Sequence, residues 1–260
     1  MDITFVDNPW FWAWAIPAVI LTGISKSGLG SGVGGYTVPM MAMAISPVQA
    51  AAIALPILCV IDLAALRAWW GKWDRRIMRV IVPGGLIGIA LGGITFRYMS
   101  DNWIKVMIGC IALGYLGFNG LKLLGKAGAV RKPMGDNAGR FWSTVSAFTS
   151  TIAHAGGPPM AVYLLSQKLD KGLFVATSVI YFAMINYVKL IPYFWLGLFD
   201  ARNLATSAAL VPFGILGTVL GIWLHRNMSQ KTFYVIVYGL LALTGSKLLW
   251  DGIRGLMAAG

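Results

Sequence analysis

Pro83-Gly-Gly-Leu-Ile-Gly-Ile-Ala-Leu-Gly92 returns later in the chain as Pro212-Phe-Gly-Ile-Leu-Gly-Thr-Val-Leu-Gly221, and Met99-Ser100 returns as Met228-Ser229. Pro83, Gly88, Gly92, Met99 and Ser100 recur at one constant spacing, which coincidence does not hold across five positions, so the chain reads as two homologous halves. Outward from this stretch, Gly71-Lys-Trp-Asp-Arg-Arg76 echoes Gly197-Leu-Phe-Asp-Ala-Arg202, Gly34-Gly35 echoes Gly156-Gly157, and Leu121-Lys-Leu-Leu124 resembles Ser246-Lys-Leu-Leu249. Residues 1–124 form the first repeat and 141–260 the second. Between them, 125–140 is polar and basic with a Pro and several Gly, and reads as an exposed cytoplasmic linker. Gly84, Gly88 and Gly92, like Gly217 and Gly221, carry the small-xxx-small spacing that lets membrane helices approach closely. This is a packing signal rather than a ligand signal.

The 260 residues are 58% hydrophobic and only 12% charged, outside the balance of a water-soluble domain. No Asp, Glu, Lys or Arg falls between Lys26 and Asp62, nor between Val80 and Phe96, and such runs match the roughly 20 apolar residues that cross hydrocarbon. The basic residues behind the net charge of +12 sit mostly where apolar segments end, as in Lys72, Arg75, Arg76 and Arg79, or Lys122, Lys126, Arg131 and Lys132. That is the pattern of topology signals facing anionic lipid, with no aromatic-basic stripe for stacking bases, so the expected partner is a lipid bilayer and not nucleic acid. The first nine residues hold Asp2 and Asp7 but no Lys or Arg, unlike a cleaved signal peptide, and the first apolar segment is expected to stay in the mature protein. Cys59 and Cys110 lie in separate apolar segments and read as packing residues. With two His, no Ser-His-Asp or His-x-x-x-His arrangement and no paired catalytic carboxylates, neither enzyme chemistry nor a metal or other cofactor is expected.

Each half holds three apolar spans, 48–70, 80–96 and 103–124 in the first and 173–196, 204–224 and 232–250 in the second. The stretches before them differ. Residues 141–155 and 158–167 are each too short to cross a core of ~30 Å at ~1.5 Å per residue, and Gly156-Gly157 separates them. They read as a re-entrant hairpin whose glycine turn reaches mid-membrane. In the first half 10–27 enters, 28–35 turns and the segment to Ile45 returns. Irregular backbone at that depth needs protein or a water-filled cavity around it. A hairpin plus three spans is an odd number of crossings, so the expected fold is an all-α polytopic membrane protein built of inverted repeats. A parallel arrangement of 4+4 spans, each hairpin being one broken crossing helix, is the alternative, because the Lys and Arg counts do not separate the two.

Charges at lipid depth are costly enough to expect a purpose. Lys26 stands beside the first glycine turn, with Ser27 next to it and Gly34, Gly35 and Tyr36 closing the turn. It either meets an anion or snorkels to an interface, and replacing it by Ala is expected to abolish transport and leave folding intact. His154 precedes Gly156 and Gly157 at the second turn. It binds the anion, takes up a proton during transport, or is a buried His bonded to a carbonyl. Asn186 and Lys189 are three residues apart on one helical face, and Asp62 lies at similar depth in the matching span. Lys189 therefore pairs with Asp62 or serves the substrate, and Asp62 joins His154 as a candidate for proton coupling. The short helices after Gly35 and Gly157 would add the positive ends of their dipoles.

The glycine-rich turn into Gly34-Gly35-Tyr36-Thr37-Val38-Pro39, its copy His154-Ala-Gly-Gly-Pro-Pro159, the twin Gly-x-aromatic-Asp turns and the repeated Pro-x4-Gly-x3-Gly together resemble the sulfite exporter TauE/SafE family, also grouped as sulfonate permeases. The similarity runs from about Trp14 to Trp250, and Lys26-Ser27-Gly28, the His154 block and Asn186 with Lys189 resemble one bacterial branch; other members have only glycines where Lys26 stands. The resemblance implies a multi-pass transporter of a cell inner membrane, exporting small sulfur oxyanions or organosulfonates such as sulfite or sulfoacetate by secondary active transport. An anion channel, or a carrier for another small organic anion, is the alternative, and a homodimer is left open.

Overall fold

The computed structural model describes residues 5–30, 37–96, 98, 100, 102–103, 105–106, 109–110, 113–114, 116 and 133–258, with the backbone alone at 39, 230, 233, 234, 237, 240, 241 and 244. The regular elements among them are α1 (Pro9–Gly28), α2 (Thr37–Met41), α3 (Pro47–Trp69), α4 (Arg75–Thr95), α5 (Asp136–Ala153), α6 (Gly157–Ser166), α7 (Lys171–Trp195), α8 (Ala201–Asn227) and α9 (Gln230–Met257). Asn8, Ser46, Asp74, Asp170, Asp200 and Ser229 start α1, α3, α4, α7, α8 and α9, each side-chain oxygen accepting a first-turn backbone N–H. Several helices therefore begin before the apolar spans read from sequence, because a capped first turn is polar and hydropathy does not register it. α5 begins at Asp136, inside the stretch read as linker. Four helices, α3, α4, α7 and α8, are long and apolar enough to cross a membrane. Of the expected span 103–124, the described residues as far as 116 are helical and pack on α9, Gly109 against Leu249 and Gly252 against Val106; 117–124 lie outside the described residues.

Two helical hairpins organise the bundle. After α1 the chain comes back along it, with the Thr37 hydroxyl bonded to that of Thr22 and Asn8 Nδ2 donating to Ala44 O at 3.3 Å. After α5 it does the same. Ser146 donates to Gly156 O at 2.7 Å, and Gln167 Nε2 donates to Met134 O at 3.0 Å. Of the first glycine turn only residues 28–30 are described; 31–35 lie outside the described residues. α1 is unbroken for 20 residues, ~30 Å at ~1.5 Å per residue, and Gly28 O lies 3.0 Å from His225 Nδ1, so the end of α1 stands near the end of α8. In the second hairpin His154 lies a full helix in, yet the chain then doubles back so that α6 starts partway along α5.

Packing ladders fix the directions. Ile20 lies on Gly217, Ile24 on Gly221 and Gly28 on His225, so α1 and α8 run the same way. Gly84 lies on Arg140 and Ser143, Gly88 on Thr144 and Ala147, and Gly92 on Thr151, so α4 and α5 also run together. α3 runs with α8, through Gln49–Asn203 and Ser207–Ile53, and α4 with α7, through Gly85–Tyr181 and Gly93–Pro192. The glycine stripes are thus where α4 packs on α5 and α8 on α1. Trp69, Asp74, Arg76, Asp136, Lys171 and His225 gather at one end, tied by Asp74 N donating to Thr177, by Arg76–Asp136 and by Lys171 Nζ donating to His225 O at 2.8 Å. Asp7, Ala44, Gln49 and Arg202 gather at the other, where Arg202 pairs with Asp7 at 3.0 Å.

Candidate functional site

Lys26 sits in the last turn of α1, Asp62 two thirds along α3, Asn186 and Lys189 on α7, and Ser150 and His154 at the end of α5. All are buried, Lys189 and Asp62 completely. Lys26 Nζ meets Asp62 Oδ1 at 2.5 Å, and Asn186 Nδ2 donates to Asp62 Oδ2 at 2.7 Å, so both carboxylate oxygens are engaged. The pairing of Asp62 with Lys189 that the sequence allowed is not the one formed. Asn186 faces α3 while Lys189, almost one turn on, faces α5.

Lys189 Nζ lies 3.1 Å from Ser150 O, 3.0 Å from Ser150 Oγ and 3.1 Å from His154 Nδ1, so its three protons have three acceptors. With Lys189 protonated, its ammonium only donates, His154 Nδ1 accepts, and the ring proton sits on Nε2, 3.2 Å from Ala51 O. Tyr193 Oη donates to Thr151 O at 2.8 Å and approaches Nε2 at 3.3 Å, closing the other side of the ring. Lys26 and Asp62 cancel. Among the described residues no carboxylate pairs with Lys189, whose hydrogen bonds are met by neutral acceptors, so in its protonated form it is a buried cation without a counter-charge.

A family model for the sulfite exporter TauE/SafE matches residues 15–248, nearly the whole chain. The chain belongs to the sulfite exporter TauE/SafE family. It is therefore a membrane transporter of the sulfite and sulfonate exporter type. No curated protein and no solved structure matches it.

Within this TauE/SafE chain the expected site residues separate. Lys26, Asp62, Asn186, Lys189 and His154 form one connected region. Ser27 turns the other way, donating to Gly23 O and to Thr218 O at 2.9 Å in the α1–α8 contact. Gly156, packed on Ser146 and Ser150, leads into Gly157, the first residue of α6. Gly34, Gly35 and Tyr36 lie outside the described residues. The helix starts contribute less positive potential than the sequence suggested: α2 has five residues, and Pro158 and Pro159 remove two of the N–H groups that α6 would present. Ser150, Thr151 and Tyr193 are neighbours of Lys189 and His154 that sequence reasoning passed over. The available signal was spacing, since Ser150 precedes His154 by four residues and Tyr193 follows Lys189 by four. At the basic end of this TauE/SafE protein a cavity of about 510 Å³ is lined by Asp74, Arg76, Met134, Asp136, Tyr163 and Gln167, among others.

Proposed function

We propose that this TauE/SafE protein exports a small sulfur oxyanion or organosulfonate, such as sulfite or sulfoacetate, across a cell inner membrane as a secondary active carrier. The observation behind this reading is Lys189, a fully buried ammonium without a carboxylate partner. An anion arriving beside it supplies the missing charge, and it replaces its own lost hydration with donors from Lys189 and its neighbours.

His154 is the proton-coupling group. A proton added to Nδ1 turns an acceptor into a donor, which breaks the bond from Lys189 and leaves two cations facing one another. That arrangement is tolerable only with an anion between them, so proton and cargo favour each other's binding. The groups around the ring are Lys189 and Tyr193 from α7, Ser150 and Thr151 from α5, and the Ala51 carbonyl from α3. Asp62 serves by holding Lys26 in place. The halves act as inverted repeats, a reading supported by the opposite directions of α1 and α5, α3 and α7, and α4 and α8. The end that bears Lys72, Arg75, Arg76, Arg79, Lys168 and Lys171 faces the cytoplasm by the positive-inside tendency.

Flux of sulfite and sulfoacetate into proteoliposomes tests the proposal. Wild type should show saturable uptake that responds to a pH gradient; Lys189→Met should lose it, and His154→Asn should keep binding but lose the response to the gradient. Full flux through Lys189→Met would remove that residue from the mechanism, and current that never saturates would make the protein a channel.

A further inference from the structure

Helical serines and threonines in this protein bond back to their own chain. Thr22, Ser27, Thr151, Thr206, Ser207 and Thr218 each donate to the carbonyl four residues earlier, at 2.7 to 2.9 Å. Away from water this is the nearest acceptor for a hydroxyl. Ser25 and Ser178 depart from the pattern. Both are buried, Ser178 completely, and among the described residues theirs are the enclosed hydroxyls with no hydrogen-bond partner. An unmatched hydroxyl inside a native structure calls for a partner, ordered water or a bound group.

Ser25 stands in the last turn of α1 and Ser178 meets the chain just beyond it. Ser25 directly precedes Lys26, and Ser178 faces Gly30, where a β-carbon would stand 3.2 Å from its Oγ. Gly30 has φ +73°, a conformation that glycine takes freely, and its bare Cα leaves Ser178 uncovered by any side chain at that position. Ser178 also belongs to a stripe. At ~100° per residue, Ser178, Asn186, Lys189 and Tyr193 fall within roughly 80° of one another on α7. Asn186, Lys189 and Tyr193 are all bonded within the cluster already described; Ser178 is the stripe's unmatched member, on the side towards the basic end.

We infer that Ser178 forms a second station for the oxyanion head of the cargo, on the basic-end side of the Lys26–Asp62 pair, with Ser25 a further contact beside Lys26 itself. This rests on the transport reading above. Neutral hydroxyls suit a waypoint, because they replace water around a charged oxygen without the deep well that a fixed cation would create. The stripe then leads the anion along one face of α7 from Ser178 past Asn186 to Lys189.

The test compares Ser178→Ala and Ser25→Ala with wild type in proteoliposomes, reading KM and maximal rate for sulfite and sulfoacetate, alongside the melting temperature with and without each anion. Loss of a hydrogen bond to a charged oxygen should raise KM about tenfold for each variant. The ligand-free melting temperature should hold or rise, since an unmatched buried hydroxyl has been deleted. A role confined to packing predicts the reverse, a lowered melting temperature at constant KM. Unchanged KM in both variants, with wild type transporting normally, overturns this inference alone. If no sulfur oxyanion moves through wild type or raises its melting temperature, the transport reading falls and this inference falls with it.

Discussion

Lys26 and Lys189 are both buried lysines at lipid depth, and their partners give them different work. Lys26 has a carboxylate at 2.5 Å, so its removal does more than delete a substrate contact. Sequence alone made Lys26→Ala a clean transport mutant; the ion pair makes it a stability mutant as well. Lys26→Met leaves Asp62 buried without its cation and should lower unfolding stability in detergent by about 3–5 kcal/mol, while Lys26→Met combined with Asp62→Asn should recover most of it. Equal stability of the single variant and wild type would mean that the pair contributes nothing to the fold. Lys189, bonded only to neutral acceptors, is the better probe of cargo binding.

The hairpins end alike although their sequences diverge. Trp69 Nε1 donates to Ser27 O at 3.0 Å at the close of α1, and Tyr193 Oη donates to Thr151 O at 2.8 Å at the close of α5. Gly30 and His154 follow with φ of +73° and +50°. A histidine in the left-handed region costs about 1 kcal/mol more than glycine, which its bonds to Lys189 and Ala51 offset. The glycine stripes, read from sequence as packing surfaces, do pack: a β-carbon on Gly88 would collide with Thr144 O and come within 2.9 Å of the Ala147 β-carbon, and one on Gly217 would collide with Ile20 O. Gly88→Ala and Gly217→Ala should each destabilise by roughly 1–3 kcal/mol in detergent denaturation. Gly71→Ala, at φ +78° but in open space, should cost only about 1 kcal/mol. A Gly88→Ala protein more stable than Gly71→Ala would show that the α4–α5 contact is looser than the coordinates give.

At the scale of the molecule, matching ion pairs stand at opposite ends. Arg202 holds Asp7 at 3.0 Å where α8 and α1 begin; Arg76 lies 3.9 Å from Asp136 where α4 and α5 begin, beside the cavity of about 510 Å³. Both pairs are exposed and contribute little to stability, so their interest is positional. Inverted repeats put the starts of α1 and α5 on opposite sides of the membrane, and parallel repeats put them on the same side. In a background lacking Cys59 and Cys110, an impermeant maleimide should label Asp7→Cys only in right-side-out vesicles and Asn137→Cys only in inside-out vesicles. Labelling of both from one side would exclude the inverted arrangement.

The sequence by itself determined the membrane class, the course of most helices and which charged residues lie among apolar ones, because these follow from hydropathy and from spacing along one helix. It also marked Lys26, Asp62, His154, Asn186 and Lys189 as residues too costly to be idle. Only the tertiary structure decided who meets whom: that Asp62 goes to Lys26 and Lys189 to His154, that Ser27 faces α8, and that Ser25 and Ser178 stay unmatched. Those choices depend on how helices some 30 Å long cross, and a small change of crossing angle exchanges partners at their far ends without altering any local pattern.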